Sequence, residues 1–218
     1  MNIIILGPQG SGKGTQAELL AKKYNLEHID MGKTLREVAK SDTPLGREIY
    51  SIQNVTKTLV PSRILREVLH LKLNSIPREQ GVVFDGVPRT MDQLEYIESA
   101  LLEFGRKINI VFLISIPEEE SIARISKRWI CKKCKTVLIM GKDVQAKEDK
   151  CPKCGEDLIQ REDDTIEGIK TRLKIFKDET MPVVEYYKNN GLLVEINGIQ
   201  TVEKVFEDIA AMFPKAKL

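Results

Sequence analysis

Ile3-Ile4-Ile5-Leu6 runs straight into Gly7-Pro8-Gln9-Gly10-Ser11-Gly12-Lys13-Gly14-Thr15, and an amphipathic stretch follows at once. The pattern predicts a strand, a phosphate-cradling loop and a helix over Lys13 to Tyr24, where Ala17, Leu19, Leu20 and Tyr24 recur at helical spacing. Glycines at 7, 10 and 12 let the backbone curl so that successive N–H groups point inward. The unpaired N–H groups and positive dipole end of the helix face the same spot. A polyphosphate fits there, with Lys13 reaching the outer phosphates. One departure stands out: Gly14 follows the lysine and the hydroxyl comes a place later, at Thr15. The usual duty of that hydroxyl toward magnesium therefore does not transfer directly.

Outward from this loop, strands and helices alternate. Helices are expected over Gly32 to Lys40, Thr43 to Gln53 and from Pro61, where Ile64, Leu65, Val68, Leu69 and Leu71 share a face. Gly81-Val82-Val83-Phe84 reads as a buried parallel strand that stops at Asp85-Gly86, followed by a helix over Thr90 to Phe104. Ile108 to Ser115 is the clearest strand, and Pro117 starts a helix running to about Arg128. From Thr165 the spacing of Ile166, Ile169, Leu173, Phe176, Thr180, Val184 and Tyr187 predicts a long helix bent near Pro182. Leu192 to Ile196 is the last strand and Val202 to Met212 the last helix. The expected fold class is α/β, a doubly wound parallel sheet of about five strands with helices on both faces. Ligands gather at the carboxyl ends of such strands, where the phosphate loop and the Asp85 loop both lie.

At 218 residues the chain suits one α/β core carrying small insertions. Charged residues make up 30% and balance to +2, and aromatics are only 6%, which favours neither a nucleic-acid nor a membrane partner. The longest apolar stretch, Ile108 to Ile116, is interrupted by Asn109 and Ser115 and is too short to span a membrane. No secretory leader precedes the first strand, so a cytoplasmic, reducing setting and a monomer are expected.

Four cysteines stand as Cys131-x2-Cys134 and Cys151-x2-Cys154, sixteen residues apart, in a segment poor in periodic apolar residues. That is zinc-ribbon spacing. Four thiolates close a tetrahedral site, so the metal is expected to be structural, folding a segment too small to hold a core alone. Lys132, Lys133, Lys135, Lys142, Lys147, Lys150 and Lys153 interleave with Asp143, Glu148, Asp149, Glu156 and Asp157, the pattern of a solvated charged surface. Arginines flank the insertion: Arg124 and Arg128 before it, Arg161 and Arg172 after it. Phosphoryl transfer needs such positive charge and little covalent chemistry from the protein.

The joint pattern resembles the adenylate kinase family, in the form whose lid holds a four-cysteine zinc site, from Met1 to about Met212. The shared motifs are Gly7 to Thr15, Leu35-Arg36, Leu59-Val60-Pro61, Asp85-Gly86-Val87-Pro88-Arg89-Thr90 with Gln93, Arg124-x3-Arg128, Arg161-x-Asp163-Asp164 with Arg172, and Asn197-Gly198. The resemblance implies reversible, magnesium-dependent phosphoryl transfer from ATP to a nucleoside monophosphate, most readily AMP, within one P-loop kinase domain over 1–218. Residues 30–60 would form a helical acceptor insertion and 128–162 a zinc-binding lid. Gly10, Ser11, Gly12, Lys13, Gly14, Thr15, Arg124, Arg128 and Gln200 would surround ATP. Lys13, Arg128, Arg161 and Arg172 would hold the transferring phosphates, and Asp85 would hold magnesium through water. Met31, Arg36, Gln53, Val60, Gly86, Arg89, Gln93, Arg161 and Arg172 would form the acceptor site, with Arg36 and Arg89 on its phosphate and Gln93 on its base. Of Asp163 and Asp164, one is expected to cap the following helix and the other to pair with lid arginines. His28 and His70 are expected in core or surface roles.

Where the family commonly shows Ser-Thr-Gly-Asp, this chain has Asp30-Met31-Gly32-Lys33; the glycine before Leu59 is missing, and Val87 replaces a common phenylalanine. The changes fall on the acceptor side. They leave open a kinase for CMP, UMP or GMP, and a nucleotide-switched zinc-ribbon binding protein without phosphotransfer.

Overall fold

The computed structural model describes residues 1–56, 60–146, 148–160 and 164–213. In chain order the elements are β1 (Asn2–Leu6), α1 (Lys13–Tyr24), β2 (Glu27–Asp30), α2 (Met31–Val38), α3 (Pro44–Tyr50) and α4 (Ser62–Asn74). There follow β3 (Val82–Asp85), α5 (Met91–Glu103), β4 (Ile110–Ser115), α6 (Glu118–Ser126), β5 (Arg128–Cys131), β6 (Val137–Ile139) and β7 (Leu158–Ile159). The chain continues through α7 (Ile166–Ile175), α8 (Met181–Asn189), β8 (Leu193–Asn197) and α9 (Val202–Ala211). Wide-turn π-helical runs, Ser51–Thr56 and Phe176–Thr180, extend α3 and join α7 to α8.

The main sheet has the order β2-β3-β1-β4-β8, every pair parallel. Its apolar alternation sorts two cores. Ile4, Leu6, Phe84, Val111 and Leu113 face α2, α4, α5 and α8, while Ile3, Ile5, Val83, Phe112 and Ile114 face α1 and α9. Central strands buried on both faces need the continuous β-branched runs seen in β1 and β4. The helix after β1 packs on one face and the helix after β3 on the other, so the chain's winding reverses between these neighbours. A crevice opens at their carboxyl ends for that reason.

Three expectations need correction. Leu71 is 66% exposed; Leu73, one turn on from Leu69, takes its place in the α4 stripe with Ile64, Leu65 and Val68. Ile166 is 62% exposed because it opens α7 ahead of the packed face that starts at Ile169. The irregularity expected near Pro182 lies just before it, in Phe176–Thr180: a proline in the first turn of α8 offers no N–H to the preceding turn, and the wide turn absorbs the mismatch.

A separate antiparallel sheet, β6-β5-β7, carries the cysteines. Its core among the described residues is small: Cys131, Leu138, Val144, Cys151 and Leu158, flanked by Trp129, Cys134 and Met140.

Candidate active site

β1 feeds the phosphate loop and β3 ends at Asp85, and the two strands pair with Ile5 opposite Asp85. Gly12 caps α1 at φ 89, a left-handed conformation that a Cβ would strain. The Ser11 N–H donates to Pro8 O (3.3 Å), and Lys13 Nζ donates to the same carbonyl at 3.4 Å, folding the ammonium back over its loop. α6 presses on the loop from outside: buried Ser121 donates to Gln9 O, and Arg124 Nη1 donates to Gly10 O at 3.3 Å. Arg124 also reaches Gly198 O (2.9 Å) and is steadied by Glu120 (2.6 Å).

A Cβ at Gly14 would stand 3.1 Å from Asp85 Oδ2. The displaced hydroxyl has its physical reason here, since serine or threonine at 14 would crowd the carboxylate. Thr15 itself is exposed. Asp85 is only 7% exposed, and its Oδ1 has no hydrogen-bond partner among the described residues. Burial pushes its carboxyl above the usual range, and Lys13 opposes that rise. Lys13 in turn is pulled down to about 8, chiefly by burial, with Asp85 supporting its charge and Arg89 and Arg128 opposing it.

Beyond Asp85, Arg89 Nε donates to Gly86 O (2.8 Å), the Arg89 N–H donates to Gln93 Oε1 (2.8 Å), and Thr180 Oγ1 donates to Arg89 O (3.0 Å). Burial lowers the pKa of the guanidinium; Asp85 and Asp30 support its charge, while Arg36 and Arg172 oppose it. Lys13 and Arg89 therefore share Asp85 and Asp30 and act on each other, while Arg128 acts on Lys13, and Arg36 and Arg172 act on Arg89. Met31, Val60 and Gln93 are buried nearby, and Gln53 is half-buried in the π-helical run after α3.

Arg128 donates through Nε to Asp164 Oδ2 at 2.9 Å, and Arg172 Nη2 donates to Asp164 Oδ1 at 3.0 Å. The Asp164 side chain is 1% exposed, so it is a buried brace between two arginines from either side of the second sheet. The cap of α7 falls to Thr165, whose Oγ1 accepts the Gly168 N–H, and not to an aspartate: Thr165 is the residue with extended backbone next to the first turn. Arg161 and Asp163 lie outside the described residues, as does Leu59. Gln200 Nε2 donates to Asn197 O and Asp208 Oδ2, both at 2.9 Å.

Several neighbours of the site carry no motif. Asp30 ends β2 directly opposite Asp85 on β3, and its Oδ1 caps α2 by accepting the Lys33 N–H. His28, expected in the core or at the surface, has Nε2 at 3.9 Å from Asp85 Oδ2, at the margin of the site. Strand register is the signal that would have found both. His70 sits with Glu103 at an exposed seam between α4 and α5.

The family model described as adenylate kinase matches residues 5–192. The chain belongs to the adenylate kinase family. It is 38% identical over 215 residues to an adenylate kinase of Methanothrix thermoacetophila, covering 99% of each chain. It is 36% identical over 217 residues to one of Archaeoglobus fulgidus, covering both fully, and 39% identical over 209 residues to one of Caldicellulosiruptor saccharolyticus, covering 96% of this chain and 97% of the relative. As a member of the adenylate kinase family it is a nucleoside monophosphate kinase, a transferase acting on nucleotides. No helix among the described residues is long and apolar enough to cross a membrane.

In this adenylate kinase-family chain the four cysteine sulfurs all lie within 4.8 Å of one another, with Cys131 to Cys154 at 3.4 Å and Cys134 to Cys151 at 3.6 Å. Zinc–sulfur bonds of about 2.3 Å in a tetrahedron separate sulfurs by roughly 3.8 Å, so the donor set fits a four-thiolate metal ion. Lys132 and Lys150 both pair with Asp157 on the ribbon surface.

Proposed function

We propose that the chain transfers the terminal phosphoryl group of ATP to AMP, reversibly and with magnesium, in a single P-loop kinase domain. Residues 30–60 serve as the acceptor-binding insertion and residues 128–162 as a zinc-stapled lid. The observation that carries this reading is the gathering of Lys13 and Arg89 at the buried carboxylate of Asp85, at the winding reversal of the sheet, with the Asp164-braced Arg128 and Arg172 near enough to act on Lys13 and on Arg89 in turn.

The roles follow from charge and reach. The phosphate loop from Gly10 to Thr15 and Lys13 hold the donor phosphates, with Arg124 bracing the loop. Arg36 and Arg89 hold the acceptor phosphate, and Arg128 and Arg172, joined by Arg161, spread charge over the group in transit. Asp85, with one oxygen unpaired among the described residues and a snug Gly14 beside it, would hold magnesium through water, and the ion would neutralise charge developing on the phosphates. Cys131, Cys134, Cys151 and Cys154 would hold a structural zinc ion. No general base is required, because the second pKa of a phosphomonoester is about 6 and the attacking oxygen is already ionised. Catalysis then rests on alignment, electrostatic stabilisation and exclusion of water as the lid closes.

With magnesium ATP, a panel of AMP, CMP, UMP and GMP is expected to yield acceptor-dependent ADP, fastest with AMP. A different fastest acceptor would transfer the assignment to that base, a reading favoured by Met31 where a hydroxyl is common. Acceptor-independent, slow hydrolysis alone would replace the kinase reading with a nucleotide-switched binding protein.

Lys13 also sets a pH dependence. Below pH 8 its ammonium is charged and attracts the polyphosphate; as pH rises through about 8 the free protein loses that charge. The dissociation constant for magnesium ATP is expected to rise above pH 8 by up to about tenfold per pH unit. Lys13→Arg, whose charge does not titrate there, should flatten the profile. Equal slopes for both proteins would exclude Lys13 as the titrating group.

A further inference from the structure

Beside the acceptor loop lies a small cavity of about 10 Å³, walled by Met31, Leu65, Leu69, Val87 and Ile97, with Gln93 and Tyr96 among its polar lining groups. Gln93 and Tyr96 stand three residues apart on α5, which turns both toward the same face. The Tyr96 ring is held from behind by Arg66 of α4, its guanidinium 4.8 Å from the ring centroid. The Tyr96 hydroxyl is buried and has no hydrogen-bond partner among the described residues. A buried hydroxyl left unpaired is costly unless a ligand completes it.

The other polar groups of the cavity are committed. Ser62 Oγ donates to Asp92, and Arg66 pairs with Glu103 at 3.6 Å. Gln93 Oε1 accepts the Arg89 N–H at 2.8 Å, so the end of this side chain that can meet a base is its amide nitrogen, a donor. The wall next to it is Met31, a thioether that offers little hydrogen bonding. An adenine edge presents an acceptor, N1, beside a donor, the exocyclic amino group. Gln93 supplies the donor for N1, and the remaining hydroxyl can accept from the amino group.

We propose that Tyr96 is a base-reading residue of the acceptor site, its hydroxyl accepting a hydrogen bond from the exocyclic amino group of adenine at the floor of the Met31–Gln93 cavity. The cavity volume is that of one water-sized group, which suits an amino group dipping in while the ring stays above. The proposal rests on the acceptor assignment made above and deepens it: the hydrogen bond lost with a hydroxyl at position 31 is supplied from α5.

The test compares AMP with purine riboside 5′-monophosphate, which lacks the amino group, in the full-length protein and in Tyr96→Phe. The unsubstituted protein is expected to favour AMP in kcat/KM by about tenfold or more, the worth of one buried hydrogen bond. Tyr96→Phe should lose that preference through a higher KM for AMP, with the KM for ATP and kcat unchanged and the melting temperature of the free protein held or raised, since the substitution removes an unpaired buried hydroxyl. Tyr96→Phe that keeps the full preference overturns the proposal, as does a fall in kcat and melting temperature without a change in preference. If the unsubstituted protein phosphorylates neither acceptor while another monophosphate in the panel works, the adenine assignment fails instead.

Discussion

Arg89→Ala is expected to lower kcat/KM for acceptor-dependent ADP formation by about 10³ while the protein stays folded. Removing one preorganised donor from a developing charge costs roughly 10² to 10³, and a charged guanidinium on a transferring phosphoryl group reaches the upper end or beyond. The geometry says why the loss should be specific. Arg89 is aimed by three contacts, to Gly86 O through its Nε, to Gln93 through its N–H and from Thr180 to its carbonyl, and none of these uses both terminal nitrogens. Among the described residues those nitrogens have no hydrogen-bond partner, and together they can grip a phosphate as a planar fork. Burial already works against the Arg89 charge, so its removal relieves a desolvation cost even as Asp85 and Asp30 lose a neighbour. The melting temperature should therefore move by only a few degrees, about 2–4 °C per kcal/mol for a chain of this size. Arg89→Lys should not restore the rate, because a point charge cannot reproduce the fork. Wild-type turnover in Arg89→Ala would remove the residue from the phosphate site.

What the sequence could reveal followed the physical scale of each feature. The β1–loop–α1 unit was legible because periodicity, glycines and lysine agree within fifteen residues, and α1 spans Lys13–Tyr24 as the pattern predicts. The four cysteines were legible because their spacing is itself the constraint on geometry. By contrast, Leu71 and Leu73 differ by two places on one helix, and only the partner helix decides which is covered. Of the two π-helical runs, Phe176–Thr180 was foreshadowed by Pro182 as a bend, whereas Ser51–Thr56 was not, because it carries no proline or glycine to mark an irregular turn. Tertiary proximity was the other limit. That one of Asp163 and Asp164 pairs with the flanking arginines was legible, and Asp164 does so, but its burial between Arg128 and Arg172 depends on bringing together segments far apart in the chain. Arg106 is a similar case: a lone arginine in sequence, it is 7% exposed and donates to Gln80 O and Pro77 O, each at 2.6 Å, holding the loop ahead of β3 at the end of the sheet remote from the site. Gly14 shows the reverse. It was visible as a departure from pattern, and only the 3.1 Å approach to Asp85 explained it.

Removal of the metal is expected to unfold the second sheet locally and to stop catalysis while leaving the donor cradle able to bind ATP. Among the described residues the β6-β5-β7 sheet has five buried residues in its core, two of them metal-ligand candidates, Cys131 and Cys151. Such a core cannot offset the ordering of its loops, at about 1–2 kcal/mol per residue, whereas four-thiolate zinc binding supplies on the order of 10–16 kcal/mol. The main sheet rests on separate apolar clusters on its two faces and does not depend on that metal. The link to chemistry runs through β5. Arg128 opens that strand, and Asp164, which orients Arg128 and Arg172 together, follows β7 by a few residues. Once the sheet melts, the brace loses one arm and the two guanidinium groups lose their common position. Chelation, or Cys151→Ala, is therefore expected to abolish amide-exchange protection over 128–160, to lower kcat by at least about 10², and to leave the ATP dissociation constant within a few-fold. Elemental analysis of the untreated protein should give one metal ion per chain. A metal-free protein that keeps both its exchange protection and its turnover would show that the ribbon folds on its apolar core alone, and the positions of Arg128 and Asp164 would then need no metal to hold them.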